Sequence, residues 1–236
     1  TTCVAGCGEI VFHGEDEFVL GGKAYREGDW ISLDGDTGAV YDGQIKTVPA
    51  QISGNFAKFM TWADERRRLG VMINGDTAAD AKQGIEFGAG GIGLVRTEHM
   101  FFEKKRIRAI REMILAKTTE ERKVALEKVK PLHRENFEEI FRETKDLPVT
   151  IRYLDPPLHE FLPKTLETQQ EIADDLGVDV QVIIDKVSTL HEQNPMMGHR
   201  GCRLDISYPE IAVMQTEAII EAAINVKKEC GYDVHV

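Results

Sequence analysis

The sequence lacks long apolar stretches, and it has few cysteines and a deficit of basic residues. No apolar run approaches the roughly 20 residues that a bilayer-spanning helix needs, so we expect no membrane partner. Four cysteines in 236 residues are too sparse for a disulfide scaffold, which favours a reducing, cytoplasmic location. The chain carries 29 Lys and Arg against 40 Asp and Glu. Because a phosphate backbone is bound through excess cations, we also expect no nucleic-acid partner.

The two ends of the chain look cut. Thr1-Thr2-Cys3-Val4 is neither a Met start nor a secretory signal, since it has no basic residue and no apolar stretch behind it. Val234-His235-Val236 looks like the opening of a strand. We therefore expect a fragment of a longer protein, in which an upstream targeting segment would direct the product to an organelle instead of the cytoplasm.

Within the first seventy residues the predicted secondary structure changes once, from strands to a helix. Residues 1–50 are β-rich, with a hairpin indicated where Gly21-Gly22 separates Phe18-Val19-Leu20 from Ala24-Tyr25. About fifty residues is small for an independent core, so this stretch is predicted to be the end of a larger domain. Residues 51–70 then take helical spacing and are predicted to be a linker helix.

From residue 71 to residue 236 the pattern alternates between short apolar strands and helices. Clear strands are predicted at 71–73, 92–95 and 149–151, a weaker one at 203–206, and the opening of another at 234–236. Such alternation predicts an α/β fold with a parallel sheet, in number about half of an eight-stranded barrel. The charged helical stretches within 103–145 are predicted to be a solvated insertion.

Several features that resemble functional motifs have structural explanations. The run from Gly88 to Gly93 matches G-x-G-x-x-G, but the helix precedes it and the strand follows, so we interpret it as a tight turn and not as a dinucleotide site. Cys3 and Cys7 lack a second pair for zinc, and all four cysteines are predicted to be buried thiols. His99, beside Met100-Phe101-Phe102, is predicted to be a packing residue.

Three arginines form the candidate site. Arg96 and Arg152 each follow an apolar strand, at the end where barrel enzymes place their sites. Arg200 lies in a Gly- and Met-rich segment between two helices. Guanidinium groups bind carboxylate and phosphate bidentately, so three that converge would suit a ligand bearing both groups. The alternative is that each arginine only pairs with a nearby carboxylate such as Glu98 or Asp155.

Three longer motifs carry a family resemblance. Residues 91–102, GIGLVRTEHMFF, are similar to the phosphoenolpyruvate-utilising enzymes. Residues 152–161, RYLDPPLHEF, and 194–203, NPMMGHRGCR, resemble the dikinase branch of that family, rather than its synthase branch or the enzyme I of sugar transport. The resemblance covers essentially the whole chain.

The resemblance implies an architecture and a reaction. The fold would be α/β, a partial (β/α)8 TIM barrel preceded by a small β-rich remnant of a swivelling phosphohistidine domain. Residues 1–50 would be the end of that swivelling domain, 51–70 the linker helix, and 71–236 the first half of the barrel. The family's dikinases interconvert ATP, phosphate and pyruvate with AMP, diphosphate and phosphoenolpyruvate through a phosphohistidine. By motif, Arg96, Arg152 and Arg200 would bind the substrate's carboxylate and transferring phosphoryl group.

Other parts of the family's machinery match nothing in this sequence. The phosphorylated histidine would precede Thr1, and the cysteine acid and the Mg²⁺ ligands would follow Val236. The resemblance therefore places no catalytic residue and no metal ligand in this chain. ATP, AMP and phosphate would be bound by other domains, and the full-length protein would be a homodimer. We expect the chain alone not to catalyse the full reaction.

Two other functions stay open at this point. A synthase-type relative would use water and release phosphate. A non-catalytic binding module would keep the same β-rich remnant and half barrel to bind a partner.

Overall fold

The computed structural model describes residues 2–48, 52–102 and 104–236, without the side chains of residues 104 and 105. The chain divides into two compact units, Thr1–Ser53 and Gly54–Val236. The boundary predicted at residues 50–51 lies outside the described residues. In the described ranges, no helix is long and apolar enough to cross a membrane.

The first unit is built from short antiparallel strands. These are β1 (Val11–Phe12), β2 (Glu17–Leu20), β3 (Lys23–Arg26), β4 (Ile31–Asp34) and β5 (Ala39–Asp42). The predicted hairpin is confirmed: β2 and β3 pair in register from Leu20↔Lys23 outward, and Gly21 and Gly22 between them both have positive φ. One ion pair, from Lys23 to Asp42 at 2.6 Å, joins β3 to β5.

The second unit contains the helices and a parallel sheet. In chain order its elements are α1 (Gly54–Arg66), β6 (Ile73–Asn74), α2 (Ala78–Glu86), β7 (Ile92–Arg96), α3 (Thr97–Phe101), α4 (Lys104–Leu115), α5 (Thr119–Thr144), β8 (Val149–Arg152), η1 (Leu158–Phe161, a 3-10 turn), α6 (Leu166–Leu176), α7 (Val180–Leu190), α8 (Cys202–Ser207) and α9 (Pro209–Cys230). The fold is therefore mixed α/β. Every residue of α1 is described and none is buried.

The parallel sheet follows chain order. β6 pairs with β7 and β7 with β8, both in parallel. Beyond β8, Pro148 forms a parallel bridge with His235, and the Val149 amide donates to the His235 carbonyl at 2.8 Å. The chain end predicted to open a strand therefore lies along the free side of β8.

The weak strand predicted at 203–206 is wrong, because these residues lie in α8. Arg200 O and Gly201 O accept helical hydrogen bonds from Arg203 N and Asp205 N, at 3.2 and 3.1 Å. Leu204 is fully buried in the main apolar cluster. A single buried residue per turn is what a short helix presents to a core, whereas a strand would alternate.

The solvated insertion predicted within 103–145 is also wrong. α5 packs along α9 and buries Val129, Phe137, Ile140 and Phe141 in the core. Its charged residues pair across the helix interface, as the following ion pairs show: Lys130–Glu217 at 2.7 Å, Lys130–Glu221 at 2.7 Å, Arg134–Glu221 at 2.8 Å and Arg142–Glu229 at 2.8 Å. The charged residues that predicted a solvated helix therefore lie along the edge of the packed interface between α5 and α9.

The prediction about the cysteines fails as well. The four cysteines, all described, are free thiols and none is buried. Cys202 and Cys230 stand at the first and last positions of helices, where the chain meets solvent. The Gly88–Gly93 run, in contrast, is the predicted turn: it joins α2 to β7, and the Gly90 amide donates to the Val71 carbonyl at 2.8 Å.

Candidate functional site

Two of the three candidate arginines occupy matched positions in the sheet. β7 ends at Arg96 and β8 ends at Arg152, and these two residues are register partners. The strands are held there by buried apolar residues, with Ile92 and Val95 fully inside and Val149 nearly so. Because parallel strands present their carboxyl ends at one edge, the two guanidinium groups leave the sheet from the same edge.

Arg152 is held between two carboxylates. Its Nη2 donates to Glu98 Oε1, and its Nη1 lies 3.1 Å from Asp155 Oδ2. The Glu98 side chain is only 6% exposed, since α3 turns it inward directly after β7. Glu98 Oε2 and Arg152 Nε are buried without a hydrogen-bond partner among the described residues. Because the Glu98 carboxylate is buried, removing its arginine partner would be costly.

Arg200 reaches the same carboxylate from another segment. Its Nε and Nη2 donate to Asp155 Oδ1 and Oδ2 at 3.1 and 2.5 Å, a bidentate pair. This pair holds the pKa of Asp155 below its usual value and raises the pKa of Arg200. Asp155 therefore joins Arg152 to Arg200 and is charged over the whole neutral range.

A glycine allows the Arg200 segment to come this close. The Gly201 amide donates to the Asp155 carbonyl at 3.2 Å, with φ at +54°. A Cβ on Gly201 would lie 3.2 Å from Asp155 Oδ1, tighter than ordinary van der Waals contact. Both the left-handed backbone and the close approach favour glycine at this position.

Of the three arginines, Arg96 has the longest ion pair between its guanidinium and a carboxylate. Its amide donates to Asp76 Oδ1 at 2.6 Å, but its Nη1 stays 3.8 Å from Asp76 Oδ2. The second oxygen of Asp76 contacts His99 Nδ1 at 2.6 Å. The predicted packing role of His99 is therefore wrong: its side chain is 54% exposed, because α3 turns Met100 and Phe101 inward and His99 outward.

The cluster has an overall charge balance that the sequence motifs do not show. Asp76, Glu98 and Asp155 together offset the charges of the three arginines. Each guanidinium still carries more N–H donors than its contacts with Asp76, Glu98 and Asp155 use, and the arginine side chains are between 26% and 39% exposed. The arrangement can therefore present oriented donors to a small anion that arrives from solvent.

Sequence reasoning found the three arginines and named Glu98 and Asp155 only as alternative partners. The structure brings those two carboxylates onto Arg152 and Arg200. It also adds Asp76, which the sequence analysis missed. Asp76 lies two residues after β6, so its place beyond the carboxyl end of a strand was the signal that could have found it.

Comparisons with known proteins identify the family of the chain. The family model described as "PEP-utilising enzyme, PEP-binding domain" matches residues 50–230. The chain therefore belongs to the PEP-utilising enzyme family, as the motifs predicted.

The curated relatives of the chain indicate which branch of the family it resembles. The chain is 52% identical to the pyruvate, phosphate dikinase of Clostridium symbiosum, over 99% of this chain and 27% of that protein. It is 50% identical to that of Rhizobium meliloti (strain 1021), over 98% and 26%. It is also 50% identical to the chloroplastic enzyme of Flaveria trinervia, over 96% and 24%. The chain thus spans about a quarter of the length of these relatives, and the predicted dikinase branch is confirmed.

Proposed function

We propose that the chain is the phosphoenolpyruvate-binding part of a pyruvate, phosphate dikinase. In this proposal Arg96, Arg152 and Arg200 hold the carboxylate and the transferring phosphoryl group of phosphoenolpyruvate, or the carboxylate of pyruvate. The observation that carries it is the convergence of guanidinium groups at one sheet edge: Arg96 and Arg152 are register partners, and Arg152 and Arg200 share Asp155.

The carboxylates explain how such a site would bind an anion. Glu98 and Asp155 fix the guanidinium planes before a ligand arrives, so binding does not have to order long side chains. Oriented donors with little freedom to relax are also what stabilises charge that develops during transfer. The Arg96 guanidinium, whose ion pair with Asp76 is 3.8 Å long, is held less tightly and can move toward the ligand.

We infer that residues 71–236 form the first half of a (β/α)8 barrel. The support is the progressive parallel order of β6, β7 and β8, followed by the bridge to His235, with helices between successive strands. A barrel places consecutive strands side by side in this way. By resemblance, residues 1–50 would end a swivelling phosphohistidine domain and 51–70 would be the linker.

The whole reaction needs groups beyond this chain. It would interconvert ATP, phosphate and pyruvate with AMP, diphosphate and phosphoenolpyruvate in a cytoplasmic homodimer, or in an organelle, since the Flaveria trinervia relative is named chloroplastic. Mg²⁺ serves the full-length family member. By resemblance its ligands belong to other parts of the family's barrel, and the described residues contain no group of three or more His, Cys, Asp or Glu that could hold a metal. We therefore assign no step in this chain to a metal.

The binding proposal is tested by calorimetric titration of the chain with phosphoenolpyruvate. Arg200→Lys removes the planar fork and its bidentate contact, so we expect Kd to rise about tenfold or more, the equivalent of one charge-assisted hydrogen bond. Arg203→Lys is the matched control, since Arg203 is exposed three residues away. Absence of binding to the unaltered chain, or equal Kd for the two variants, would contradict the proposal.

We expect no turnover from the chain alone. Arginines can position and neutralise the substrate, but phosphoryl transfer also needs the carrier histidine and the metal, which the family resemblance places elsewhere. The measurement is a coupled pyruvate assay with AMP, diphosphate, phosphoenolpyruvate and Mg²⁺. Pyruvate formed above the level of a heat-denatured sample would refute this expectation.

A further inference from the structure

A buried amide on α9 connects the two segments that carry the arginines. Gln215 is fully buried. Its Oε1 accepts from the Leu154 amide at 2.9 Å, and its Nε2 donates to Thr97 Oγ1 at 3.0 Å. Thr97 follows Arg96 directly, and Leu154 lies between Arg152 and Asp155. One side chain thus bonds to both strand ends at once.

The orientation of this amide is fixed by its partners. The Leu154 backbone nitrogen can only donate, so the oxygen of Gln215 must face it, and Nε2 must face Thr97 and His133. His133 Nε2 lies 3.3 Å from Gln215 Nε2. It must accept there, so the proton of this histidine is on Nδ1. Among the described residues, His133 Nδ1 has no partner.

The surroundings of His133 keep it neutral. Its ring is fully buried, stacked on Phe101 and edge-on to Phe137. Burial, with the nearby charge of Arg106, lowers its pKa to about 3. A neutral imidazole can accept through Nε2, whereas a protonated one would present an N–H to the amide hydrogens of Gln215 and break the network.

A second contact from α9 reinforces the same segment. Thr216 Oγ1 donates its proton to the Ala212 carbonyl at 2.7 Å. The same oxygen therefore accepts the hydrogen bond from the Tyr153 hydroxyl, which lies 2.7 Å away. α9 therefore forms hydrogen bonds with two consecutive residues, Tyr153 and Leu154, immediately before Asp155. The hydrogen bond from Gln215 to Thr97 also joins α9 to the residue that directly follows β7.

We propose that Gln215 is a positioning residue for the arginine cluster. Its amide sets the separation between the Arg96 end of β7 and the Arg152–Asp155 segment, with His133 held as the neutral Nδ1–H tautomer that accepts from it. The role in ligand binding rests on the proposed function above, but the network itself does not.

Two variants of Gln215 separate the amide's contributions. Gln215→Met keeps the volume of the side chain and removes its hydrogen-bond donor and acceptor. We expect the Kd for phosphoenolpyruvate to rise about tenfold, which corresponds to the loss of one well-formed hydrogen bond. Gln215→Glu still accepts from Leu154, and the Thr97 hydroxyl can turn to donate to it. Its second oxygen faces His133 Nε2, so a proton must lie between these two atoms, and we expect it on the nitrogen. We expect its Kd to stay nearer that of the unaltered chain.

The readouts are calorimetry, side-chain ¹⁵N NMR of His133, and amide hydrogen exchange at Arg96 and Leu154. Ile183→Ala is the control, because it creates a cavity in the small separate cluster with Ile172 and Ala173. We expect Nδ1–H for His133 in the unaltered chain and Nε2–H in Gln215→Glu. In Gln215→Met, exchange should quicken at both Arg96 and Leu154, and in Ile183→Ala at neither.

Each outcome decides something distinct. If the unaltered chain binds phosphoenolpyruvate and Gln215→Met has the Kd of Ile183→Ala, the positioning role is overturned. An Nε2–H His133 in the unaltered chain also overturns it. If the unaltered chain does not bind at all, the proposed function fails, and exchange alone decides: faster exchange at both amides in Gln215→Met supports the positioning role, and unchanged exchange refutes it.

Discussion

Arg152→Ala should lower the free energy of unfolding by about 3–5 kcal/mol, because it leaves the buried carboxylate of Glu98 without its partner. Glu98 is 6% exposed on its side chain, and among the described residues its second oxygen already lacks a hydrogen bond. Removing the guanidinium would leave a charge that water cannot reach easily. Urea denaturation followed by circular dichroism measures the change.

Two further variants identify the cause. Glu98→Gln in the Arg152→Ala background removes the orphaned charge, and we expect it to recover part of the lost stability. Arg142→Ala is the matched control: the Arg142 side chain is 37% exposed, close to the 39% of Arg152, but its partners Glu138 and Glu229 are 16% and 56% exposed against 6% for Glu98, so its loss should cost below about 1 kcal/mol. Equal losses for Arg152→Ala and Arg142→Ala would show that the Glu98 pair is not special.

The strand ends that carry the site were predictable because the signal is local. Apolar runs such as Ile92–Val95 and Val149–Ile151 end abruptly in an arginine, and a parallel sheet brings such ends to one edge. The alternation of strands and helices needed no more than the period of the apolar residues. The turn at Gly88–Gly93 was equally readable, since its order of helix and strand excludes the dinucleotide motif.

The partners of the site were less predictable because they are set by tertiary packing. Gln215 meets Leu154 across 61 positions and Thr97 across 118. Its place on α9 follows from how that helix packs on α5, which no local pattern states. Asp76 reaches the Arg96 amide only because β6 and β7 run in parallel.

The charge pattern of α5 shows how a correct local observation gives a wrong conclusion. Its lysines and arginines are spaced as on a solvated helix, and they do lie at its edge. Their partners on α9, however, are about 87 positions away, as for Lys130 and Glu217. The same sequence therefore contains both an exposed ion-paired edge and a fully buried apolar face with Phe137 and Phe141, and only the second decides where the helix packs.

Gly91→Ala should be strongly destabilising because it inserts a methyl group between β7 and β8. Gly91 has φ at +146°, and a Cβ there would lie 2.4 Å from the Pro148 carbonyl oxygen. That oxygen accepts the Ile92 amide at 2.9 Å, at the start of the pairing that continues to Arg96 and Arg152. Backbone strain and overpacking cost about 1–3 kcal/mol each, and here both apply.

Gly88→Ala provides the matched control for this prediction. Gly88 also has positive φ, at +86°, but nothing lies within 4 Å of the position of its Cβ. The Gly88→Ala variant therefore has the backbone strain without the clash, and thermal unfolding should place its Tm between those of Gly91→Ala and the unaltered chain.

Since backbone atoms cannot move aside as a flexible side chain can, the methyl group at Gly91 must push the strands apart at the amino end of β7. Amide exchange in β7 and β8 should then quicken together, and weaker phosphoenolpyruvate binding should follow because the register of Arg96 and Arg152 depends on that pairing. If the two alanine variants melt at the same temperature, strain alone explains both, and the close approach of β7 to Pro148 does not set the register of the site.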